Sequence, residues 1–105
     1  EAFQGQLAEE VLRSYDFDQL FIGADGIDPK RGTTTYNELY SLSRVMAEVS
    51  REVIVLVESE KIGRKIHNLE LVWKDIDLLV TDEGLSADLK HEIQAQGVKV
   101  VCAKT

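Results

Sequence analysis

Val53-Ile54-Val55-Leu56-Val57 decides the fold: five consecutive apolar residues, four of them β-branched, with no polar residue alternating among them. A strand that faces water on one side alternates in character, so an unbroken run of this kind predicts a strand covered on both faces, as in a parallel sheet. Working outward, Ile76 to Val80 repeats the pattern, Leu20-Phe21-Ile22 gives a shorter version, and Val98 to Ala103 closes the chain with another. Helical periodicity separates these runs. Leu7, Ala8, Val11, Leu12 and Tyr15 form one apolar stripe, Leu39, Leu42, Met46 and Val49 a second, and Leu85, Leu89 and Ile93 a third. Ser86 is placed to cap the third helix, and Gly97 to end it in a left-handed conformation. Alternating helices and short apolar strands predict an α/β fold, a parallel sheet with helices on both faces and right-handed crossovers.

Length and charge narrow the function. With 105 residues, 44% hydrophobic and 30% charged, the chain matches one globular domain. Its five-residue apolar run is far short of the roughly twenty residues a membrane helix needs. Cys102 is the only cysteine, so no internal disulfide forms, and the chain reads as cytoplasmic. A net charge of −7 has the wrong sign for a surface that displaces counterions from nucleic acid, so this chain is not expected to bind DNA itself.

In open parallel sheets ligands bind beyond the carboxyl ends of the strands, where loops and helix amino termini converge. Those ends here are Gly23-Ala24-Asp25-Gly26, Glu58-Ser59-Glu60-Lys61 and Thr81-Asp82. A carboxylate, a lysine and hydroxyls at one rim suit a polyol chain and a phosphate. Each residue alone has a plainer reading. Asp25-Gly26 is a common turn dipeptide, with Pro29-Lys30-Arg31-Gly32 continuing the loop. Thr35-Tyr36-Asn37-Glu38 fits a capping box, in which Glu38 serves the helix start rather than a ligand. Lys61, Arg64 and Lys65 read as solvated surface residues, and Trp73 as a packing anchor. His67 and His91 lack partners at metal-ligand spacing, and two glycines in Gly23 to Gly26 fall short of a dinucleotide fingerprint, so no metal or cofactor is expected. The segment from Glu58 to Asp75 follows no single period.

Four stretches together resemble a known family: Phe3-Gln4-Gly5-Gln6-Leu7-Ala8-Glu9, Phe17 through Asp28, Arg51-Glu52-Val53-Ile54, and Lys61-Ile62-Gly63-Arg64-Lys65. They are similar to the effector-sensing domain of DeoR-family bacterial transcriptional repressors, over nearly the whole chain. Gly5-Gln6-Leu7-Ala8-Glu9 and Thr34-Thr35-Tyr36-Asn37-Glu38 resemble those members that control glucitol (sorbitol) utilisation. The resemblance implies a fold related to ribose phosphate isomerase and glucosamine phosphate deaminase. Residues 1–105 would then be the C-terminal part of a sensor whose helix-turn-helix domain is absent from this chain. It also implies an effector site at Gly23, Asp25, Gly26, Asn37, Glu38 and Lys61 for a phosphorylated sugar or sugar alcohol, with glucitol 6-phosphate foremost. Operator DNA would be bound only through the missing domain, and the protein would be a homo-oligomer. A partial domain is expected to expose an apolar face and an open strand edge.

The related enzymes supply the rival reading. Isomerases of that kind carry Asp-Gly-Ala-Asp-Glu at the first strand end, and deaminases carry Asp-Gly-His before Asn-Glu. Here Ile22 stands at the isomerases' first aspartate and Ile27 at the deaminases' histidine, while Asp25, Gly26, Asn37 and Glu38 match. Isoleucine neither gives nor takes a proton, so a sensor is expected rather than an enzyme. A third reading is an oligomerisation module without a ligand. Where the family carries an aspartate, two serines, lysine and phenylalanine, this chain has Glu58-Ser59-Glu60-Lys61-Ile62, a departure that bears on the exact effector.

Overall fold

The structure, a computed structural model, describes residues 2–37 and 41–104, with side chains from residue 7 onward. In chain order it comprises α1 (Ala2–Leu12), β1 (Phe17–Ile22), β2 (Gly26–Asp28), β3 (Gly32–Thr35), α2 (Ser41–Glu48), β4 (Ser50–Leu56), β5 (Asn68–Val72), β6 (Leu78–Asp82), α3 (Ala87–Gln94) and β7 (Lys99–Ala103), with 3-10 turns at Ser59–Lys61 and Trp73–Asp75. Two sheets result: a parallel one in the order β1-β4-β6-β7, and a smaller antiparallel one in the order β2-β3-β5. The α/β architecture with a parallel sheet flanked by helices is as expected.

Register explains the core. Leu20 pairs with Val53, Ile22 with Val55 and Val55 with Leu79. Side chains alternate across a sheet, so Leu20, Ile22, Val53, Val55, Leu79 and Val100 share one face. That face packs on Ile93 and Leu89 of α3, on Ile27 and Leu71 of the small sheet, and on Trp73 of the 3-10 turn that follows β5. Ile27, Val55, Leu79 and Ile93 are wholly buried. Ser86 Oγ accepts from Leu89 N at 3.2 Å and Gly97 has φ +92, so both ends of α3 are formed as the sequence predicts.

The opposite face is less covered than the apolar run implies. Burial spans Val53 to Val55, but Leu56 is 45% exposed, and Phe17, Phe21 and Val101 on the same side of the sheet are also exposed. The first helix differs too: Leu7 and Val11 lie in the open, and Tyr15 falls beyond the helix and stacks on Phe17 with ring centroids 5.7 Å apart. Helix α2 buries Val45, with Leu42, Met46 and Val49 half-buried around it, while Leu39 lies outside the described residues.

The largest departure from expectation is the stretch read as loop. Residues 26–35 form a β-hairpin, and Asn68–Val72 within the unassigned segment supplies the third strand of the small sheet. Thr33, Thr34 and Thr35 are all buried in it. A chain with buried polar residues at successive positions carries no hydrophobic period, which is why the pattern reads as a loop. Pairing makes up for the polarity in part: Thr33 Oγ1 accepts from Leu71 N at 2.9 Å across a bulge in the β3–β5 register. Gly32 has φ +138, and a Cβ there would run into the Leu71 carbonyl, so only glycine fits.

Candidate functional site

At the carboxyl ends of β1, β4 and β6 lies a crevice of about 690 Å³, lined by Gly23, Ala24, Asp25, Leu56, Val57, Glu58, Lys61, Val80, Thr81 and Asp82. The three strand ends singled out in the sequence therefore meet in one place. The cause is the register: parallel pairing of β1 with β4 and of β4 with β6 aligns their exits on one edge.

Each wall is held by identifiable bonds. Asp25 Oδ2 accepts from Thr35 Oγ1 at 2.9 Å and from Tyr36 N at 3.1 Å, which ties the end of β1 to the end of β3. The Thr35 hydroxyl also accepts from Asn37 N at 3.0 Å, so it holds the chain just after β3 as well as Asp25, while residues 38–40, at the helix start it is expected to cap, lie outside the described residues. The Thr35 hydroxyl thus links Asn37 to Asp25, although Asn37 does not line the crevice. Glu38, the other half of that capping box and a predicted site residue, lies outside the described residues.

Lys61 sits on the 3-10 turn that follows β4. Its amide donates to the Glu58 carbonyl at 3.0 Å, and its Nζ lies 3.5 Å from Glu58 Oε1. Asp82 anchors this turn to β6: its carboxylate accepts from Ser59 N at 2.9 Å, from Ser59 Oγ at 2.5 Å and from Gly84 N at 2.9 Å. The hydrogen bond from the Ser59 hydroxyl, followed by those from the two amides, holds the Asp82 carboxyl below the usual carboxylate range. Asp82 thus fixes the position of Lys61. The Thr81 hydroxyl is buried without a hydrogen-bond partner among the described residues.

Gly23 and Gly26 part company. A Cβ on Gly23 would have only the Leu56 carbonyl near it, at 3.7 Å, leaving the crevice wall open to backbone approach. Gly26 is buried in β2, where a Cβ would press on Thr34 Oγ1 at 2.8 Å and Ile66 Cδ1 at 2.9 Å, so its smallness serves hairpin packing. Thr35, read from the sequence as a cap, is what orients Asp25. Only the hairpin pairing reveals this, and nothing in the local sequence signals it.

Trp73 anchors packing as expected, donating its Nε1 to the carbonyls of Asp28 and Pro29 at 3.1 and 3.0 Å. Among the described residues no three His, Cys, Asp or Glu side chains are placed to hold a metal ion, and no helix is long and apolar enough to cross a membrane.

With this geometry in view, comparison with known proteins is informative. The family model of the DeoR C-terminal sensor domain matches residues 1–83. Among curated proteins, the putative aga operon transcriptional repressor of Escherichia coli O157:H7 is 38% identical over 102 residues, covering 96% of this chain and 38% of that protein. The HTH-type transcriptional regulator GlpR of Haloferax volcanii is 35% identical over 101 residues, covering 95% of this chain and 40% of its own length. The transcriptional repressor AccR of Agrobacterium fabrum is 34% identical over 85 residues, covering 79% of this chain and 33% of that protein. The chain spans about two fifths of the length of the first two of these relatives.

Proposed function

This chain belongs to the DeoR C-terminal sensor domain family, and from that premise we propose that it is the effector-binding portion of a transcriptional repressor of a sugar or sugar-alcohol operon. The observation that carries the proposal is the convergence of Gly23, Asp25 and Lys61 on one crevice at the strand ends. Asp25, together with Asn37 and Glu38, holds hydroxyls of a phosphorylated sugar or hexitol, Gly23 admits its chain, and Lys61 meets its phosphate. The Lys61–Glu58 pair is a surface ion pair worth about 0–1 kcal/mol, so a phosphate can displace the Glu58 carboxylate at little cost.

Within this class glucitol 6-phosphate is the first candidate. It rests on Gly5-Gln6-Leu7-Ala8-Glu9 and Thr34-Thr35-Tyr36-Asn37-Glu38 rather than on the relatives, one of which is named for the aga operon. The matched repressors are longer, and the helix-turn-helix that contacts operator DNA is assigned to the part of the protein outside residues 1–105. Effector binding then shifts the population between operator-competent and released states. The exposed apolar residues Phe17, Phe21, Leu56 and Val101 support contact with further protein, either the rest of the sensor or a second copy in a homo-oligomer.

A sensor is favoured over an isomerase or deaminase by the surroundings of the two isoleucines. Ile27 is wholly buried in the core and Ile22 packs against it, so neither position offers a group that transfers protons. Thermal-shift measurements on the intact protein against a panel of sugar and hexitol phosphates test the proposal. Stabilisation by a subset without turnover is expected. Turnover would favour the enzyme reading, and no stabilisation by any compound would favour a ligand-free oligomerisation module.

A further inference from the structure

A second concavity, of about 650 Å³, opens beside the crevice, between the β2–β3 turn and the loop 63–67. Its charge is opposite to that of the crevice. The crevice is lined by three carboxylates, Asp25, Glu58 and Asp82, against the single ammonium of Lys61. The second concavity presents Arg31, Arg64, Lys65 and His67 against the single carboxylate of Asp28. That carboxylate is already engaged, accepting from Arg31 Nε at 2.6 Å and from the Lys30 and Arg31 amides at 2.9 and 3.3 Å. In a chain of net charge −7, a concave surface with this excess of cations is the place where an anion meets the least repulsion.

The surface is also preorganised. The Gly63 amide donates to the Ile27 carbonyl at 2.8 Å, Ile66 is buried, and the Ile66 carbonyl accepts from Arg31 Nη2 at 3.5 Å, so the loop is pinned at both ends. Along this loop, the Arg64 side chain spends only Nη1, on the Asp25 carbonyl at 3.4 Å, and the Lys65 and His67 side chains have no partner among the described residues. A guanidinium with an unused donor edge, an ammonium and an imidazole around a common hollow are suited to phosphate oxygens. We propose that this concavity is a second ligand site, distinct from the strand-end crevice, for a multiply charged phosphate such as a diphosphate group. Its volume of about 650 Å³ is well above that of a single phosphate, and its cations come from both the β2–β3 turn and the loop 63–67.

The test is calorimetric titration of inorganic pyrophosphate into the intact protein at fixed ionic strength. Saturable binding is expected, weakened at least about tenfold by the Arg64→Ala/Lys65→Ala pair, since each charge-assisted hydrogen bond lost contributes about 1.5–3 kcal/mol. Because Arg64 also touches Asp25, Lys65→Glu is measured alongside. It reverses a charge on an exposed side chain with no structural partner, and it is expected to weaken binding about tenfold or more with unchanged circular dichroism. Lys61→Ala is expected to leave pyrophosphate affinity within about twofold. Absence of saturable binding, wild-type affinity in both loop variants, or an equal loss in Lys61→Ala, which would place the anion in the crevice, each overturns the proposal. None of these results depends on whether the crevice takes a hexitol phosphate.

Discussion

The parallel sheet and the small antiparallel sheet are stabilised by different means, although they share one core. Strands β1, β4, β6 and β7 contribute apolar side chains, and the burial of Val55 and Leu79 is complete. In the small sheet β3 places threonines in the interior, and β2, β3 and β5 hold together through specific backbone geometry: Gly32 at φ +138, the Leu71 amide on Thr33 Oγ1, and the Trp73 indole on the Asp28 and Pro29 carbonyls. The first region depends on filled volume and the second on backbone shape. The candidate crevice uses both, since β4 and β6 place Lys61 and Asp82 while the hairpin fixes Asp25 through Thr35.

If that contrast is right, the most damaging single change lies in the small sheet and removes no contact at all. Gly32→Ala adds one methyl where the Leu71 carbonyl leaves no room and where φ disfavours any side chain. We expect a loss of about 4 kcal/mol or more in urea unfolding. A loss below about 1 kcal/mol would show that the hairpin relaxes freely and would break the comparison. In the parallel sheet the corresponding probe is Leu79→Ala, which leaves a cavity beside Val55 and Ile93. A loss of about 2–5 kcal/mol is expected, while Leu79→Met, which conserves volume, should cost less than about 1.5 kcal/mol.

The same contrast accounts for what the sequence reveals. Val53 to Val57, Ile76 to Val80 and Val98 to Ala103 announce their strands because burial there is apolar and consecutive, and Ser86 and Gly97 mark α3 because caps have fixed chemistry. Gly32-Thr33-Thr34-Thr35 does not, since its interior is polar and its order comes from β5, whose first residue lies 33 positions after Thr35. The site divides along the same line. Gly23, Asp25 and Lys61 are legible because strand ends are, whereas the role of Thr35 and the packing role of Gly26 need the hairpin. The exposure of Phe17, Phe21, Leu56 and Val101 is likewise invisible in an apolar run, because the residues are apolar whether or not something in this chain covers them.

A smaller effect sharpens the picture of the β2–β3 turn. Burial tends to raise the Asp28 pKa, but the hydrogen bonds from Arg31 and the Lys30 amide outweigh it, so the folded value lies below the ordinary one. A carboxylate lowered in this way contributes stability that is fully present above its unfolded pKa, near 3.9, and is lost as pH falls through the folded value. The stability advantage of the wild-type protein over Asp28→Asn, at most about 1 kcal/mol for so exposed a pair, should therefore hold near neutrality and shrink as pH falls below about 4. Unfolding curves for both proteins between neutral pH and pH 3 provide the check, and an advantage that grew on acidification would contradict the assignment.

The central claim, an effector site at the strand ends with Lys61 on the phosphate, is tested most directly by titrating glucitol 6-phosphate against the operator complex of the intact repressor carrying Lys61→Ala or Lys65→Ala. Lys61 is held at the crevice by the turn that Asp82 anchors, whereas Lys65 lines the neighbouring concavity. Loss of one charge-assisted bond to phosphate predicts about ten- to a hundredfold weaker effector response in Lys61→Ala, with operator affinity in the absence of effector unchanged and Lys65→Ala close to wild type. Equal, wild-type-like responses in the two variants would remove Lys61 from the site and contradict the account.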